Sequence, residues 1–187
     1  MLTYVDGASL VLSNDAFGQH LTSTGIFNDE TDTDEIYQEA IRYYANILTP
    51  FSSLLKKKLD AINQLNLSID MIAPSHGIIW RKDAVQIIDK YYEWANEYKE
   101  DYIVIVYDSM YNATKEIAYY IAKGISEVGG KYKIFNAANC DRTDLLTDIF
   151  RCTGLAIGCC TVNNTVLSPI SSLLEEIKGL KFKGKKA

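Results

Sequence analysis

The sequence is short of the residues that break a chain or cross-link it. Among 187 residues there are three prolines, four cysteines and two histidines. So few prolines, with no repeat and no low-complexity tract, exclude a Pro-rich spacer or a fibrous chain. The cysteines are Cys140, Cys152, Cys159 and Cys160, all in the last third of the chain. Neighbouring Cys159 and Cys160 cannot easily bridge each other, and no C-x-x-C pair suggests a zinc site or a redox dithiol. They read as small apolar packing residues. No apolar run approaches the roughly 20 residues that span a bilayer. A basic excess is lacking too: 19 Lys and Arg stand against 24 Asp and Glu, a net charge of −5. That balance argues against bulk attraction to a nucleic-acid backbone. Met1 to Asp6 carries no basic segment leading into an apolar one, so no secretory signal is read and a cytoplasmic location is expected.

What is present is a globular composition, 48% hydrophobic and 23% charged. A strand is predicted at Ser9–Ser13. A polar, acidic stretch then runs to about Thr33 and holds Asp29, Glu30, Asp32, Asp34 and Glu35, the composition of a solvated loop and a helix N-terminus. Ile36, Ala40, Ile41, Tyr44, Ile47 and Leu48 recur at helical spacing, and Pro50 is expected to stop that helix. A second helix is predicted over Phe51–Leu65, with Leu54, Leu55, Leu59 and Ile62 on one face. A strand follows at Ser68–Ala73 and ends in the turn composition Pro74-Ser75-His76-Gly77. A third helix is predicted from Asp83, as N-cap, to Tyr98, with Val85, Ile88, Tyr92 and Ala95 inward. The Tyr91-Tyr92 and Trp94 cluster reads as helix packing.

The pattern changes at Glu97 to Asp101, where a domain boundary is placed. Tyr102 to Tyr107 is a continuous β-branched and aromatic run, suited to a parallel strand buried on both faces. A helix follows with Ile117, Ala118, Ile121, Ala122, Ile125 and Val128 on its apolar face, ended by Gly129-Gly130. A strand at Tyr132–Phe135, a helix at Arg142–Phe150, a strand at Leu155–Gly158, a loop over Cys159–Ser168 and a helix at Pro169–Ile177 complete the chain. This alternation predicts an α/β fold with a parallel, helix-covered sheet.

Two loops fall at the carboxyl ends of these strands, where open α/β sheets bind ligands. The first is Ser109-Met110-Tyr111-Asn112-Ala113-Thr114. A helix N-terminus there offers unpaired N–H groups and a favourable dipole to a phosphate, with the Ser109 and Thr114 hydroxyls beside it. No G-x-G-x-x-G and no Walker lysine occur, which disfavours dinucleotide and nucleoside triphosphate sites. The same spacing also suits an ordinary strand-to-helix loop capped by Thr114. The second loop is Gly158-Cys159-Cys160-Thr161-Val162-Asn163-Asn164-Thr165, after the third strand and on the same sheet edge. Its amides and Asn side chains could meet the edge of a planar ring, and a turn-rich connector has the same composition. In the first half, Asp15 and His76 each end a strand and are candidate iron or zinc ligands. Read singly, Asp15 is equally a turn residue and His76 a loop histidine. His20 is a candidate for orienting a ligand rather than binding metal.

Taken in order, Ser13-Asn14-Asp15-Ala16-Phe17-Gly18-Gln19-His20, Pro74-Ser75-His76-Gly77, Tyr107-Asp108-Ser109-Met110-Tyr111 and Thr161-Val162-Asn163-Asn164 resemble one family. It is that of the A-type flavoproteins, the flavodiiron oxygen and nitric oxide reductases, and the resemblance covers essentially the whole chain. It implies the C-terminal part of a metallo-β-lactamase-like αββα domain over residues 1–98. The first half of a flavodoxin-like parallel sheet, with flanking helices, is implied over 99–187. It implies FMN held by Ser109, Met110, Tyr111, Asn112, Ala113 and Thr114 and by Cys160, Thr161, Val162 and Asn163. A non-haem diiron site is implied with Asp15 as bridge and His76 as ligand. The implied reaction is reduction of dioxygen to water or of nitric oxide to nitrous oxide. Electrons would come from a donor such as rubredoxin and pass through FMN, in a head-to-tail homodimer.

The departures carry expectations as well. The family's H-x-E-x-D-H motif is absent, and His20 and His76 are the only histidines. This chain alone is therefore expected to bind little or no iron and to be inactive. An FMN-binding electron-transfer module and an inactive piece are the alternatives. Asn112 and Ala113 stand where the family has Gly and Ser or Asn, and Cys159-Cys160 stands for Ser-Pro. The strand Leu155-Ala156-Ile157 is expected to expose an unpaired edge. A lysine-rich end, with Lys178, Lys181, Lys183, Lys185 and Lys186, reads as a solvated segment or a docking patch for an acidic donor.

Overall fold

A computed structural model describes residues 2–186. The chain folds as two compact units, the break falling between Glu97 and Tyr98. No helix among the described residues is long and apolar enough to cross a membrane.

The first unit is built on a small mixed sheet. Strand β1 (Thr3–Val5) pairs antiparallel with β2 (Leu10–Asn14). The helices α1 (Thr33–Tyr43) and α2 (Ser52–Gln64) then intervene before β3 (Met71–Pro74), which pairs parallel with β2. An antiparallel bridge of Ile72 to Trp80 and a parallel bridge of Phe27 to Ile79 extend the framework. Helix α3 (Gln86–Ala95) closes the unit. The N-terminus of α1 follows from its acidic start: the Asp32 carboxylate accepts the Glu35 N–H at 2.9 Å, a cap worth about 1 kcal/mol.

Contrary to the expectation from its missing N–H and its bulk, Pro50 does not stop the chain's helical course. Residues Tyr44–Leu48 widen into a π turn, Thr49–Phe51 tighten into a 3-10 turn that holds the proline, and α2 follows at once. The wider turn accommodates the ring without ending the helical path, and Pro50 sits at the start of the next turn, where its N–H is not needed. The third helix also starts later than its pattern suggests. Asp83 has φ 51° and sits in a turn, Val85 takes the N-cap and is exposed, and Ile87, Ile88, Tyr91 and Trp94 are the buried face. Of the predicted apolar face of α2, Leu59 is buried while Leu54 is exposed.

The core of this unit is aromatic. Tyr91 touches Phe17, Tyr44 and Trp94, with ring centroids 4.7, 5.1 and 5.3 Å away and none of the pairs stacked flat. Tilted and edge-on pairs are the geometries favoured by ring quadrupoles. Burial pushes the Tyr44 phenol up to about 12 and raises that of Tyr91 as well, so both stay neutral.

The second unit is a three-stranded parallel sheet in the order β5-β4-β6. Its elements are β4 (Glu100–Asp108), α4 (Ala113–Glu127), β5 (Tyr132–Asn136), α5 (Arg142–Arg151) and β6 (Cys152–Cys159). A two-stranded hairpin, β7 (Thr161–Val162) and β8 (Thr165–Val166), leads into α6 (Ser168–Leu180). Central β4 alternates between two cores. Tyr102, Val104 and Val106 pack with Leu145, Ile149, Cys152, Ile170 and Leu173, which lie on α5, β6 and α6. Ile105 and Tyr107 pack with Ala118 and Ala122 of α4. A period of two along a strand sends alternate side chains to opposite faces, so an uninterrupted apolar run serves both.

The buried face of α4 is narrower than its sequence suggests. Ala118 and Ala122 lie against the sheet, while Ile117, Ile121 and Val128 are exposed. Small residues let the helix approach closely, and its broader apolar arc turns outward. Gly129, at φ 76°, ends the helix, and the Gly130 N–H reaches back to the Ile125 carbonyl at 2.9 Å, as a left-handed C-terminal cap does. The stretch expected as a loop over Cys159–Ser168 contains the hairpin. Asn163 and Asn164, at φ 48° and 60°, make its turn, and paired left-handed residues match the twist of a two-residue hairpin. The outer edge of β6, expected to be unpaired, is covered only at its start by an isolated bridge to Lys186 and carries no strand partner at Ile157 among the described residues. The Leu155 N–H donates to the Lys186 carbonyl at 2.8 Å, and the Lys186 N–H donates to Thr153 at 3.0 Å. Among the described residues all four cysteines are free thiols and Cys152 is fully buried. The lysine-rich end is partly inward: Lys185 is half-buried and donates to the Tyr98 and Phe150 carbonyls.

Candidate functional site

Both sequence-predicted loops lie on one edge of the second sheet. Strands β4 and β6 run parallel, and their register places Tyr107 opposite Gly158 and Asp108 opposite Cys159. The loop after β4 and the hairpin after β6 therefore leave side by side. A third turn joins them, where the Ala137 N–H bonds the Tyr107 carbonyl and the Ala138 N–H bonds the Asn136 side chain, both at 2.9 Å.

The first loop is shaped by Asp108 and Asn112. Asp108 is buried at the end of β4, and its carboxylate accepts the Ser109 N–H at 2.8 Å. This turns the chain sharply out of the strand. Asn112 occupies the N-cap of α4 at φ 65°, and its side chain makes no capping hydrogen bond. Asparagine is the residue that bears this conformation best after glycine. The first four N–H groups of a helix have no acceptor within it, and here no N-cap side chain serves them. Helices α2, α3 and α6 likewise lack a side-chain cap, whereas in α5 the Asp141 carboxylate accepts the Asp144 N–H at 2.9 Å; what distinguishes α4 is that its start lies beside the hairpin after β6. Met110 and Tyr111 stand exposed at the tip, Tyr111 at 86%. Across from the helix start, Gly158 packs so closely that an added Cβ would meet the Thr114 methyl at 3.1 Å. The Thr114 methyl thus faces β6.

A helix N-terminus with no side-chain cap, flanked by Ser109 and Thr114 and bordered by a hairpin, can accept a phosphate and support a flat ring beside it. The residues present fit a flavin mononucleotide in that respect. Sequence reading placed Asp108 in the first loop's motif and Gly158 and Cys159 in the second loop, but gave none of them a role of its own. Only the glycine carried a signal, as an isolated Gly inside a strand run marks a close approach.

The first unit brings Asp15 and His76 together. Their Oδ1 and Nε2 atoms are 3.5 Å apart, and both side chains are about half exposed or more. The Asp15 loop is bound to the His76 turn by Gln19, which is fully buried. Its N–H donates to the His76 carbonyl at 3.2 Å, its Oε1 accepts the Ile78 N–H at 2.8 Å, and its Nε2 donates to the Phe17 carbonyl at 2.9 Å. Phe17 has φ 69°, rare for a bulky residue. Three buried bonds hold it there: its N–H donates to the Tyr91 hydroxyl, and its carbonyl accepts from Gln19 and from the Trp80 indole. Gly18 and Gly77 leave no room at this junction. An added Cβ on Gly18 would meet the His76 carbonyl oxygen at 3.1 Å, and one on Gly77 the Gln19 Oε1 at 2.0 Å. The His20 ring lies edge-on to those of His76 and Tyr43, with centroids 5.7 and 4.8 Å away. Burial and the Asp15 charge raise the Tyr43 phenol.

This arrangement does not fit a diiron centre by itself. Among the described residues no group of three or more His, Cys, Asp or Glu side chains is placed to hold a metal. An Asp and a His provide too few donors to hold two non-haem irons, which are bound by several carboxylate and imidazole ligands.

Comparison with known proteins gives a consistent picture. The flavodoxin family model matches residues 105–187. The anaerobic nitric oxide reductase flavorubredoxin of Klebsiella pneumoniae is 49% identical over the whole of this chain, and that of Aliivibrio salmonicida 48%. The chain spans 39% and 38% of the length of these two relatives. Among solved structures, rubredoxin oxygen:oxidoreductase of Desulfovibrio gigas superposes with a TM-score of 0.95 at 27% identity. The match covers 99% of this chain and 47% of that one. The flavodiiron protein of Giardia intestinalis superposes at 0.91 with 29% identity, covering 98% of this chain and 45% of that one.

Proposed function

We propose, for a chain that resembles a flavodiiron structure and nitric oxide reductase flavorubredoxins along its whole length, that its second unit binds FMN and relays electrons in a longer oxidoreductase. Residues 1–98 then belong to the diiron domain and 99–187 to the flavin domain. The observation that carries this reading is the α4 N-terminus, left without a side-chain cap on the sheet edge that also presents the hairpin. The first-turn amides of α4 and the Ser109 and Thr114 hydroxyls would hold the phosphate. The amides of Cys160 to Asn163 would lie along the ring, with Met110 and Tyr111 at its open side. Bound FMN supplies stepwise one-electron chemistry. The chain's part is to fix the ring's orientation and to exclude water from one side of it.

The substrate class we infer for the longer protein is nitric oxide, because the Klebsiella and Aliivibrio relatives are named nitric oxide reductases. Dioxygen is the alternative, favoured by the name of the Desulfovibrio gigas enzyme, an oxygen:oxidoreductase. A rubredoxin-like electron donor, a head-to-tail homodimer and a cytoplasmic location complete the proposal. No step is assigned to iron on this chain, since its own residues do not build the centre. Asp15 and His76 would contribute to such a centre only alongside ligands from elsewhere.

Titration of the 187-residue chain with FMN, followed by quenching of flavin fluorescence, tests the reading. Saturable binding is expected. Asn112→Val, which forces a β-branched residue into the left-handed conformation at a cost of about 1–2 kcal/mol, should weaken it roughly 5- to 30-fold, while Asn112→Gly should leave it within about twofold. No binding by the parent chain, or an indifferent Asn112→Val, refutes the proposal.

A further inference from the structure

Cys159 is the last residue of β6, and Leu167 is the N-cap of α6. Between them the chain leaves the sheet, makes the β7–β8 hairpin and returns. The Cys159 thiol closes this excursion at its base. Its Sγ accepts the Leu167 N–H at 3.2 Å and donates to the Cys160 carbonyl at 3.1 Å. The side chain is partly buried against the cluster of Ile170, Leu173 and their neighbours, so the sulfur is held from behind by packing. The hairpin itself is short. Thr161 pairs with Val166 and Val162 with Thr165, and the turn is exposed. A two-strand hairpin of this length is not stable alone, and its placement depends on what fixes its two ends. Asp108 lies beside Cys159 in the register, so those ends sit next to the turn into the phosphate loop.

We propose that Cys159 is a positioning residue for the flavin ring. Its thiol clamps the base of the hairpin, so that the amides of Cys160 to Asn163 are presented along the sheet edge, and loss or covalent capping of the thiol releases them. The inference rests on the FMN reading of the site. It concerns the ring side alone, since the phosphate loop is shaped independently by Asp108 and Asn112.

The test compares Cys159→Ala and Cys159→Ser with the parent 187-residue chain in two measurements. Amide hydrogen exchange reads the clamp without any ligand. Exchange at Leu167 and Cys160–Val166 should quicken about three- to tenfold in Cys159→Ala, the range set by one lost neutral hydrogen bond. It should return to the parent rate in Cys159→Ser, whose hydroxyl keeps donor and acceptor. FMN titration reads the ring side: Cys159→Ala should weaken binding by a similar factor and shift the visible absorption of the bound flavin, and Cys159→Ser should restore both. Unchanged exchange in Cys159→Ala refutes the clamp. Quickened exchange with unchanged affinity and spectrum refutes the link to the ring. A parent chain that exchanges as expected but binds no FMN instead overturns the underlying flavin reading, and the positioning role with it. Tryptophan fluorescence is no guide here, because Trp80 and Trp94 lie outside the second unit.

Discussion

Replacing Gly77 by alanine should unfold the first unit at a markedly lower temperature, because two costs meet at one atom. Gly77 has φ 81°, and placing an L-residue in that region costs about 1–2 kcal/mol. The new Cβ would also lie 2.0 Å from the Gln19 Oε1 and 2.6 Å from its carbonyl oxygen. Gln19 is fully buried and cannot swing into solvent. When it moves, the buried Ile78 N–H loses its acceptor, at a further cost of about 1–3 kcal/mol. Together these amount to about 2–5 kcal/mol, a large share of the stability of a domain this size. A loss of that order lowers Tm by at least about 8 °C. The assay is specific to this unit, because both tryptophans, Trp80 and Trp94, are in it and both are buried. Thermal unfolding followed by tryptophan emission should shift to the lower temperature. The His76 ring proton resonances should move as well, because the Gln19 N–H bonds the His76 carbonyl. A Tm within about 2 °C of the parent would show that the junction relaxes freely, and Gln19 would then not be the tie between the two loops.

Acid should weaken the second unit through Glu100. Burial raises the carboxyl's pKa, but hydrogen bonds from Arg151 and Tyr98 outweigh it and hold the group below its ordinary range. A depressed folded pKa gives stability that is present above the unfolded value, about 4.3, and lost as pH falls through the folded one. Melting between about pH 6 and pH 3 should therefore fall more steeply in the parent than in Glu100→Gln, and equal slopes would remove Glu100 from the acid response. Purified chain should carry far less iron than a full diiron complement by elemental analysis after growth with added iron. A tightly held full complement would contradict the ligand count among the described residues.

The sequence exposed the second unit's architecture more fully than the first's. Tyr102 to Tyr107 reads as a buried strand because both of its faces are covered, and every residue in it is apolar. The acidic stretch that holds Asp32 announces a helix start through chemistry that acts over three residues. The exposed stripe on α4 misleads for a physical reason. Ile117, Ile121 and Val128 satisfy a helical period as well as Ala118 and Ala122 do, and only the sheet decides which arc is buried. The π turn at Tyr44–Leu48 and the bridge of Phe27 to Ile79 leave little local trace, since one accommodates a proline two residues after its end and the other joins distant segments. Gln19 is the clearest omission at the candidate metal site. Its role comes from contacts with Phe17, His76 and Ile78, and no spacing rule connects residues that meet only after folding.

The alternation along β4 makes the chain unequally tolerant of insertion and deletion. Removing one residue before Tyr102 would exchange the strand's two faces. Tyr102, whose hydroxyl donates to Asp148 at 2.8 Å, would be carried to the α4 side, and Ile105 would be turned from the alanines of α4 toward the α5 and α6 core. Every apolar residue would remain and neither core would fit. The Asn163-Asn164 turn sits at an exposed tip with no partner face to mismatch. Length variation among homologous chains is thus expected to spare β4, the central strand of its sheet.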